Sequence, residues 1–465
     1  MKKLKKLIDC NYSTLIDGVT TDSRRVKPNY LFVATRGFNV DHFEFIDDAI
    51  ENGAVAVVTD RDIKLSVPVI VVDDIDSALI SICEKFYSVS ISFFSFIGVT
   101  GTDGKTTTTS IIKQLLNPSM KTAYIGTNGL EVDGRVNSIS NTTPCVEELY
   151  KCFSNIKNSD CKSIVMEVSS EALLHKRVDN LKYDVVGFTN ITEDHLNVHK
   201  TISNYIDCKR HLVDLLNYDG YLIINGDCEN CKDIKYHNMY TYGFSSDNDC
   251  VISNVNYCKE KVSFDITFQN EVYNIVSPLS GEYNVYNVVL AFLICLVKGI
   301  DSNDLIDRIS KLIPINGRRE FLNFGQKYDL VLDYAHTFYG IKNLVNSFSG
   351  YKRVILVTGA AGGREKEKRK LIGKFLLENV DLVVFTMDDP RFEDPNNIID
   401  DMLSDTDLDN YEIIIDRARA ISYALDIASE GDLVLIIGKG RDNYMAILDK
   451  KVKYCDYDVI KDYFK

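Results

Sequence analysis

Three glycines spaced by three, Gly98, Gly101 and Gly104, lead into Lys105 and four threonines in the stretch FIGVTGTDGKTTTT. These residue types suit a nucleoside triphosphate. Glycines let backbone N–H groups turn toward phosphate oxygens, the lysine reaches the β/γ-phosphates, and the Thr106 hydroxyl can hold Mg2+ at a positive helix N-terminus. The spacing is not the strict G-x-x-x-x-G-K-[ST], because Val99 stands where the first glycine belongs. Strand, turn, lysine and helix nevertheless follow in the required order, so this segment is expected to bind ATP or GTP.

Two later segments bring further chemistry. Glu167 closes the apolar run SIVMEV, where a strand-end carboxylate would face a phosphate-bound Mg2+. FTNITEDHLNVH leaves another strand and presents Asp194, His195 and His199. The two histidines have the i, i+4 spacing of a zinc pair, but no H-E-x-x-H accompanies them, and a zinc hydrolase fits poorly beside a phosphate cradle. Lys209, on the next helix, would by default be a solvated lysine. Cys228 and Cys231 form one C-x-x-C, with no second pair at zinc-finger spacing. The glycine-rich loop 359–363 lacks G-x-G-x-x-G spacing, which argues against a dinucleotide-dependent enzyme.

The elements that must position these residues fall into three stretches. The length of 465 residues is too great for one core. Residues 1–90 read as a small α/β unit, with strands at NYLFVA, AVAVVTD and VPVIVVDD and a helix stopped by Gly53. From about 93 to 314, strands are expected at 121–125, 163–168, 185–189 and 221–225, then a β-rich passage at 251–276 and a helix stopped by Gly299. Beyond Gly317, near-continuous apolar strands at 330–334, 353–358, 382–387, 411–415 and 433–437 alternate with helices, which implies a buried parallel sheet. The formal charge of −14 argues against a nucleic-acid partner. No apolar run approaches the ~18 residues of a membrane helix. The lysine-bearing N-terminus breaks at Asp9, unlike a signal peptide, and the twelve scattered cysteines suit reduced thiols in a cytoplasmic protein.

The segments GVTGTDGKTTT, NTTP, MEVSS, FTNITEDHLNVH, the CK helix, SGEYNVYN, GRRE, DYAHT and DDPR together resemble the Mur ligases, in order and over essentially the whole chain. Within that family they are most similar to the synthetases that add the third residue of the UDP-N-acetylmuramoyl peptide. The resemblance implies an α/β fold of three domains: a small UDP-binding domain at 1–91, a P-loop ATPase-like ATP-binding domain at 92–314, and a Rossmann-like amino-acid-binding domain at 315–465. It implies that Lys105, Glu167, His195, Lys209 and His336 are catalytic. ATP would be held by Gly101, Thr102, Asp103, Gly104, Lys105, Thr106, Thr107, Asn287, Arg318 and Asp333. Two Mg2+ ions would be held by Thr106, Glu167, His195 and Lys209, the last as a carbamate formed with CO2. The UDP-substrate would meet Ser23, Arg24, Asn39, Asp41, Thr142, Thr143, Ser169 and Arg177, and the amino acid Arg364, Asp388, Asp389, Arg391, Gly438 and Asp442. A cytoplasmic monomer that binds no nucleic acid and does not insert in a membrane is expected.

The pattern departs from the family in the amino-acid pocket. Asp389 replaces the asparagine of D-N-P-R, Arg441-Asp442 replaces His-Glu in G-K-G-H-E, Gly363 stands where an acid commonly precedes Arg364, and Phe338 replaces the proline after DYAHT. Arg391 could pair with a carboxylate on the incoming side chain, which favours meso-diaminopimelate over L-lysine. Asp389 could instead meet an ammonium, which is the argument for lysine. A family paralogue joining another acid and amine is the alternative. Folylpolyglutamate synthetase is disfavoured because it lacks the N-terminal DSRRV…LFVA unit, and a non-catalytic nucleotide binder would leave Lys105, Glu167, His195 and Lys209 together unexplained.

Overall fold

The structure, a computed structural model, describes residues 1–37, 41–364 and 366–465. Its spine is an eleven-stranded sheet whose middle is parallel. Strand Ser95–Thr100 lies at its centre between Ser163–Glu167 and Tyr183–Phe188, all three parallel. The chain leaves Ser95–Thr100 for Thr122–Gly126, returns to fill the gap with Ser163–Glu167, and then crosses to the other side with Tyr183–Phe188. The strand order therefore reverses at the carboxyl end of Ser95–Thr100, the place where open α/β sheets bind ligands. Ile97, Val99, Ile164, Val165, Val185 and Val186 are wholly or almost wholly buried, which is why these strands read as apolar runs rather than alternating ones. The expected β-rich passage is an antiparallel meander, Cys250–Tyr257, Val262–Phe268 and Glu271–Ser277, at one edge. Helix Glu282–Val297 is apolar nearly all round and packs on helix Lys105–Leu116, holding the cradle helix from behind.

Before this unit stand four parallel strands, Gly18–Thr20, Tyr30–Val33, Ala54–Thr59 and Val69–Val71. They are tied to the central unit where Thr21 donates its N–H and hydroxyl to Glu147, at 3.2 and 3.1 Å. After it comes a six-stranded sheet ordered Glu320–Phe321, Asp329–Asp333, Leu433–Ile437, Val354–Thr358, Leu382–Phe385 and Tyr411–Ile413, parallel except for its first strand. The loops DYAHT, TGAAGGR, MDDPR and GKGRD all leave its carboxyl edge. Two strands end earlier than the sequence suggests, at Phe385 and Ile413; beyond them the chain keeps isolated bonds, Ile414 N–H to Phe385 C=O at 3.0 Å and Met387 N–H to Ile415 C=O at 3.2 Å. The sequence pattern does not reveal the hairpin Tyr444–Ile447 and Lys450–Lys453, whose lysines mask its period-two signal.

Candidate active site

The two carboxyl edges face each other across a cavity of about 420 Å3. The central wall begins at the glycine turn. Gly101 has φ +151°, and a Cβ there would sit 1.9 Å from the Thr189 hydroxyl; Gly104 has φ +84°, and a Cβ would meet Asn287 Oδ1 at 2.5 Å. Glycine is required at both, by backbone conformation and by crowding. Helix Lys105–Leu116 starts immediately after, aiming its N-terminus into the cavity. The Lys105 ammonium donates to the carbonyls of Gly101 and Thr102, at 2.9 and 2.8 Å.

Glu167 is fully buried on the cavity wall and accepts from the hydroxyls of Thr106 (2.9 Å), Tyr124 (2.6 Å) and Thr127 (3.2 Å) and from Thr127 N–H (2.9 Å). Thr106 also receives Arg318 Nη2 at 3.2 Å. A hydroxyl and a carboxylate side by side at a helix N-terminus are hard oxygen donors that fit Mg2+ beside phosphate. Lys209, 1% exposed, donates to the Gly101 carbonyl at 2.7 Å and lies 4.7 Å from the Tyr205 ring centre. Burial, then Lys105, drives its amine well below the usual lysine range. The neutral amine is the nucleophilic form that adds CO2, and burial favours that form at Lys209.

The C-terminal wall reaches across. Thr337, capping helix Phe338–Asn346, donates to Asp103 at 2.9 Å; Lys368 pairs with Asp194 at 3.0 Å; Arg364 Nη1 lies 3.2 Å from His195 Nδ1. His195, in the left-handed region at φ +55°, has its Nε2 3.3 Å from Asp194. Its imidazole is pushed down to about 4, chiefly by burial and against the pull of Asp194, so it is neutral at pH 7. Both ring nitrogens have partners, and a metal ion at His195 would displace Arg364 or Asp194.

Farther along the same wall Lys439, 1% exposed, stands among carboxylates: Asp389 at 2.8 Å, Asp442 at 3.7 Å and Asp388 at 3.8 Å. Burial acts to lower its pKa, but the acids outweigh it and raise it. The Asp389 oxygen that takes Lys439 also accepts Ala446 N–H at 2.9 Å, tying the DDPR loop to the hairpin. Arg391, at φ +52°, is tied to that hairpin through its backbone, by Ala446 (3.0 Å) and Leu448 (2.7 Å), while the residue remains on the cavity wall.

Comparison with known proteins decides the family. Residues 15–87 match the Mur ligase family catalytic domain, 99–295 the Mur ligase middle domain, and 317–440 the Mur ligase glutamate ligase domain. The chain belongs to the Mur ligase family. It is 34% identical over 459 residues to a UDP-N-acetylmuramoyl-L-alanyl-D-glutamate–2,6-diaminopimelate ligase of Bacillus cereus, spanning 96% of this chain and 94% of that one. A Geobacillus thermodenitrificans protein of the same name is 35% identical over 454 residues, with 95% and 93% covered. A solved structure carrying that name superposes with a TM-score of 0.65 at 25% identity, covering 100% and 99%. The fold is shared with a MurF ligase from Thermotoga maritima in complex with ADP, TM-score 0.66 at 19% identity, covering 91% and 94%. The chain is an ATP-dependent Mur ligase.

In this Mur ligase, Thr102, Asp103, Gly104, Thr107, Thr142, Ser169, Arg177, Arg318, His336, Arg364, Asp388, Gly438 and Asp442 line the cavity with the residues already described. Gly101, Thr143, Asn287 and Asp333 stand behind it. Thr143 donates to Glu167 C=O at 2.8 Å, Asn287 accepts from Thr108 at 3.2 Å, and Asp333 accepts Ala335 N–H at 2.7 Å. Ser23, Arg24 and Asp41 lie in the N-terminal sheet unit, away from the cavity walls, with Arg24 held by Asp22 at 2.9 Å; Asn39 lies outside the described residues. His199 turns back to Ser170 at 3.0 Å and does not join His195 as a pair on the wall. Arg441 turns away too, onto Glu320 and over the Tyr457 ring at 3.5 Å. Sequence reasoning missed Tyr124, Thr127, Lys368 and Lys439. Only Lys439 carried a signal, as the lysine inside the GKG motif.

Proposed function

We propose that this Mur ligase joins 2,6-diaminopimelate, in its meso form, to UDP-MurNAc-L-Ala-D-Glu at the expense of ATP, as a cytoplasmic monomer in peptidoglycan precursor synthesis. The domain limits adopted are 1–91, 92–314 and 315–465. The observation that carries this reading is that one cavity has a triphosphate cradle on one wall and a mixed set of acids and Arg391 on the other. A substrate with an ammonium and a carboxylate at its far end complements that second wall, whereas L-lysine would leave Arg391 without a partner. The names of the relatives support the same substrate.

A carboxylate is a poor electrophile toward an amine. Transfer of the γ-phosphoryl group to the D-Glu carboxylate makes an acyl phosphate, which the incoming amine attacks, and the tetrahedral intermediate collapses to amide and phosphate. Such transfer asks mainly for positioning and charge neutralisation. Lys105 and Arg318 supply positive charge from opposite units, and Asn287 and Asp333 would meet the nucleotide on its adenosine and phosphate side. Thr106, Glu167 and His195 would hold Mg2+, and the Lys209 carbamate would bridge to or orient a second ion. When bound, these ions neutralise the phosphate oxygens. His336 stands at the phosphate side. Thr142, Thr143, Ser169 and Arg177 would orient the muramoyl-dipeptide, and Ser23, Arg24, Asn39 and Asp41 the uridine diphosphate. Arg364, Asp388, Asp389, Arg391, Gly438 and Asp442 form the amino-acid pocket. The contacts from Thr337, Arg364 and Lys368 hold the two walls together and exclude water that would hydrolyse the acyl phosphate.

The test is phosphate release from ATP with UDP-MurNAc-L-Ala-D-Glu and a panel of amino acids. Release with meso-diaminopimelate well above L-lysine is expected. Release with lysine alone overturns the amino acid, and no release with any member overturns the reaction.

A further inference from the structure

The C-x-x-C pair is a sequence motif to which the ligase reading gives no role. Cys228 precedes and Cys231 ends the single 3-10 turn Glu229–Cys231, closed by Cys231 N–H donating to Cys228 C=O at 2.9 Å. A turn closed by such a bond holds its first and fourth Cα atoms within about 7 Å, and the Cys231 thiol hydrogen-bonds the Cys228 sulfur. A disulfide accepts ~4.4–6.8 Å between Cα atoms. Both cysteines are free thiols; Cys228 is half-buried and Cys231 fully buried. The more exposed of the two thiols therefore sits against the inner one.

The turn also braces the site from beneath. Cys228 Sγ accepts Ile191 N–H at 3.2 Å and lies 3.7 Å from Ile191 C=O, which also takes Asn230 Nδ2 at 2.8 Å. Ile191 sits between residues that interlock with the cradle: Asn190 Oδ1 accepts Asp103 N–H at 3.0 Å, and Thr192 N–H donates to the Thr102 hydroxyl at 3.0 Å. Asp194 and His195 follow directly.

We propose that Cys228 and Cys231 are a thiol modification site, oxidised reversibly to a disulfide by a small disulfide, and that this loosens residues 191–195 and slows the ligase. With a small disulfide, the Cys228 thiolate displaces one thiol and forms a mixed disulfide, and Cys231 then displaces the second. Two S–H bonds are lost and one S–S bond forms, and the oxidant carries away both electrons and both protons as two thiols. The hydrogen bond from Cys231 draws the Cys228 thiol down to about 7, which favours the attack. A thiol can both accept from and donate to Ile191. A disulfide sulfur has no proton and accepts poorly, so the brace is reduced to Asn230. The effect on turnover rests on the ligase reading; the disulfide and the loosened segment do not.

The full-length protein is equilibrated in glutathione buffers graded from reducing to oxidising, and the 228–231 disulfide is read by peptide mass. Amide hydrogen exchange at 191–195 and ATP-dependent phosphate release are followed on the same samples. Oxidation is expected to form the disulfide, to speed exchange there about fivefold, the worth of one lost hydrogen bond, and to lower turnover, all reversed by dithiothreitol. Cys228→Ser, whose hydroxyl can still accept Ile191 N–H, should retain basal turnover and lose the sensitivity. Should that variant fold poorly, Cys231→Ser must still lose the intramolecular disulfide. Absence of the disulfide under oxidising conditions, or its formation with unchanged exchange, overturns the proposal. Reduced enzyme with no turnover at all overturns the ligase reading and leaves the disulfide and exchange measurements to decide this one.

Discussion

The two walls of the cavity are built by different physics. On the central wall the organisation lies in the backbone: two glycines in positive-φ turns, a helix N-terminus, and Lys105 and Lys209 both donating to the Gly101 carbonyl. On the C-terminal wall it lies in charges that neutralise each other across separate segments: Lys439 among Asp388, Asp389 and Asp442 on loops, and the buried Arg369 of helix Lys366–Asn379 between Glu393 (2.7 Å) and Asp401 (2.9 Å). A backbone cradle recognises what all the family's nucleotides share. A balanced charge set can be retuned one residue at a time, and in this chain it carries the departures at Asp389 and Asp442. The comparison predicts that single changes on the central wall remove the reaction, while changes on the other wall alter which amino acid is used.

The largest effect belongs to Lys105. Lys105→Ala should lower turnover at least ~10²-fold, the usual cost of one lost transition-state charge contact, with circular dichroism unchanged because no core packing is lost. Retained turnover above about a hundredth would remove Lys105 from the reaction. Next is Lys209→Ala, expected to be nearly inactive and partly restored by acetate or formate, which place an anion in the vacated space; Lys209→Glu should keep a trace of turnover. Normal turnover of Lys209→Ala without added acid would remove the carbamate, and the backbone account of this wall would then stand on Lys105 alone.

The same contrast explains what was legible in the sequence. The strands around the cradle are buried on both faces, so they read as apolar runs, and the Gly–Lys–Thr spacing is local. Glu167 ends one of those strands, which marks it as a candidate that the family resemblance then singles out. Tyr124 and Thr127, which complete its hydrogen bonds, belong to a strand and turn some 40 residues earlier, and nothing local marks them. Lys368 reads as one more charge in a lysine-rich helix until the fold sets it against Asp194. Asp389 is the sharpest case. Its residue type alone suggests an acid free to meet a substrate ammonium, and only the fold reveals that Lys439 and Ala446 already take one of its two oxygens. The N-terminal residues Ser23, Arg24 and Asp41 were legible from the family pattern, yet no local geometry in the structure draws them together with the cavity.

The smaller effects test the charged wall itself. Arg391→Ala should reduce the preference for meso-diaminopimelate over L-lysine by about tenfold or more, since a charge-assisted hydrogen bond is worth ~1.5–3 kcal/mol. Asp389→Asn should change that preference by less than about threefold, because the amide oxygen can still accept Ala446 N–H while two acids remain around Lys439. The measurement is competition between the two amino acids at equal concentration, with products separated by charge, for wild type and both variants. If Asp389→Asn shifts the preference as strongly as Arg391→Ala does, then Asp389 meets substrate in the working enzyme and its pairing with Lys439 is given up on binding. If wild type prefers lysine and Arg391→Ala leaves that unchanged, the far carboxylate has no partner on this wall and the amino-acid assignment falls. The cradle would be untouched by either result, because the hydrogen bonds tying the C-terminal wall to the central one run through Arg318, Thr337, Arg364 and Lys368 and not through Arg391 or Asp389.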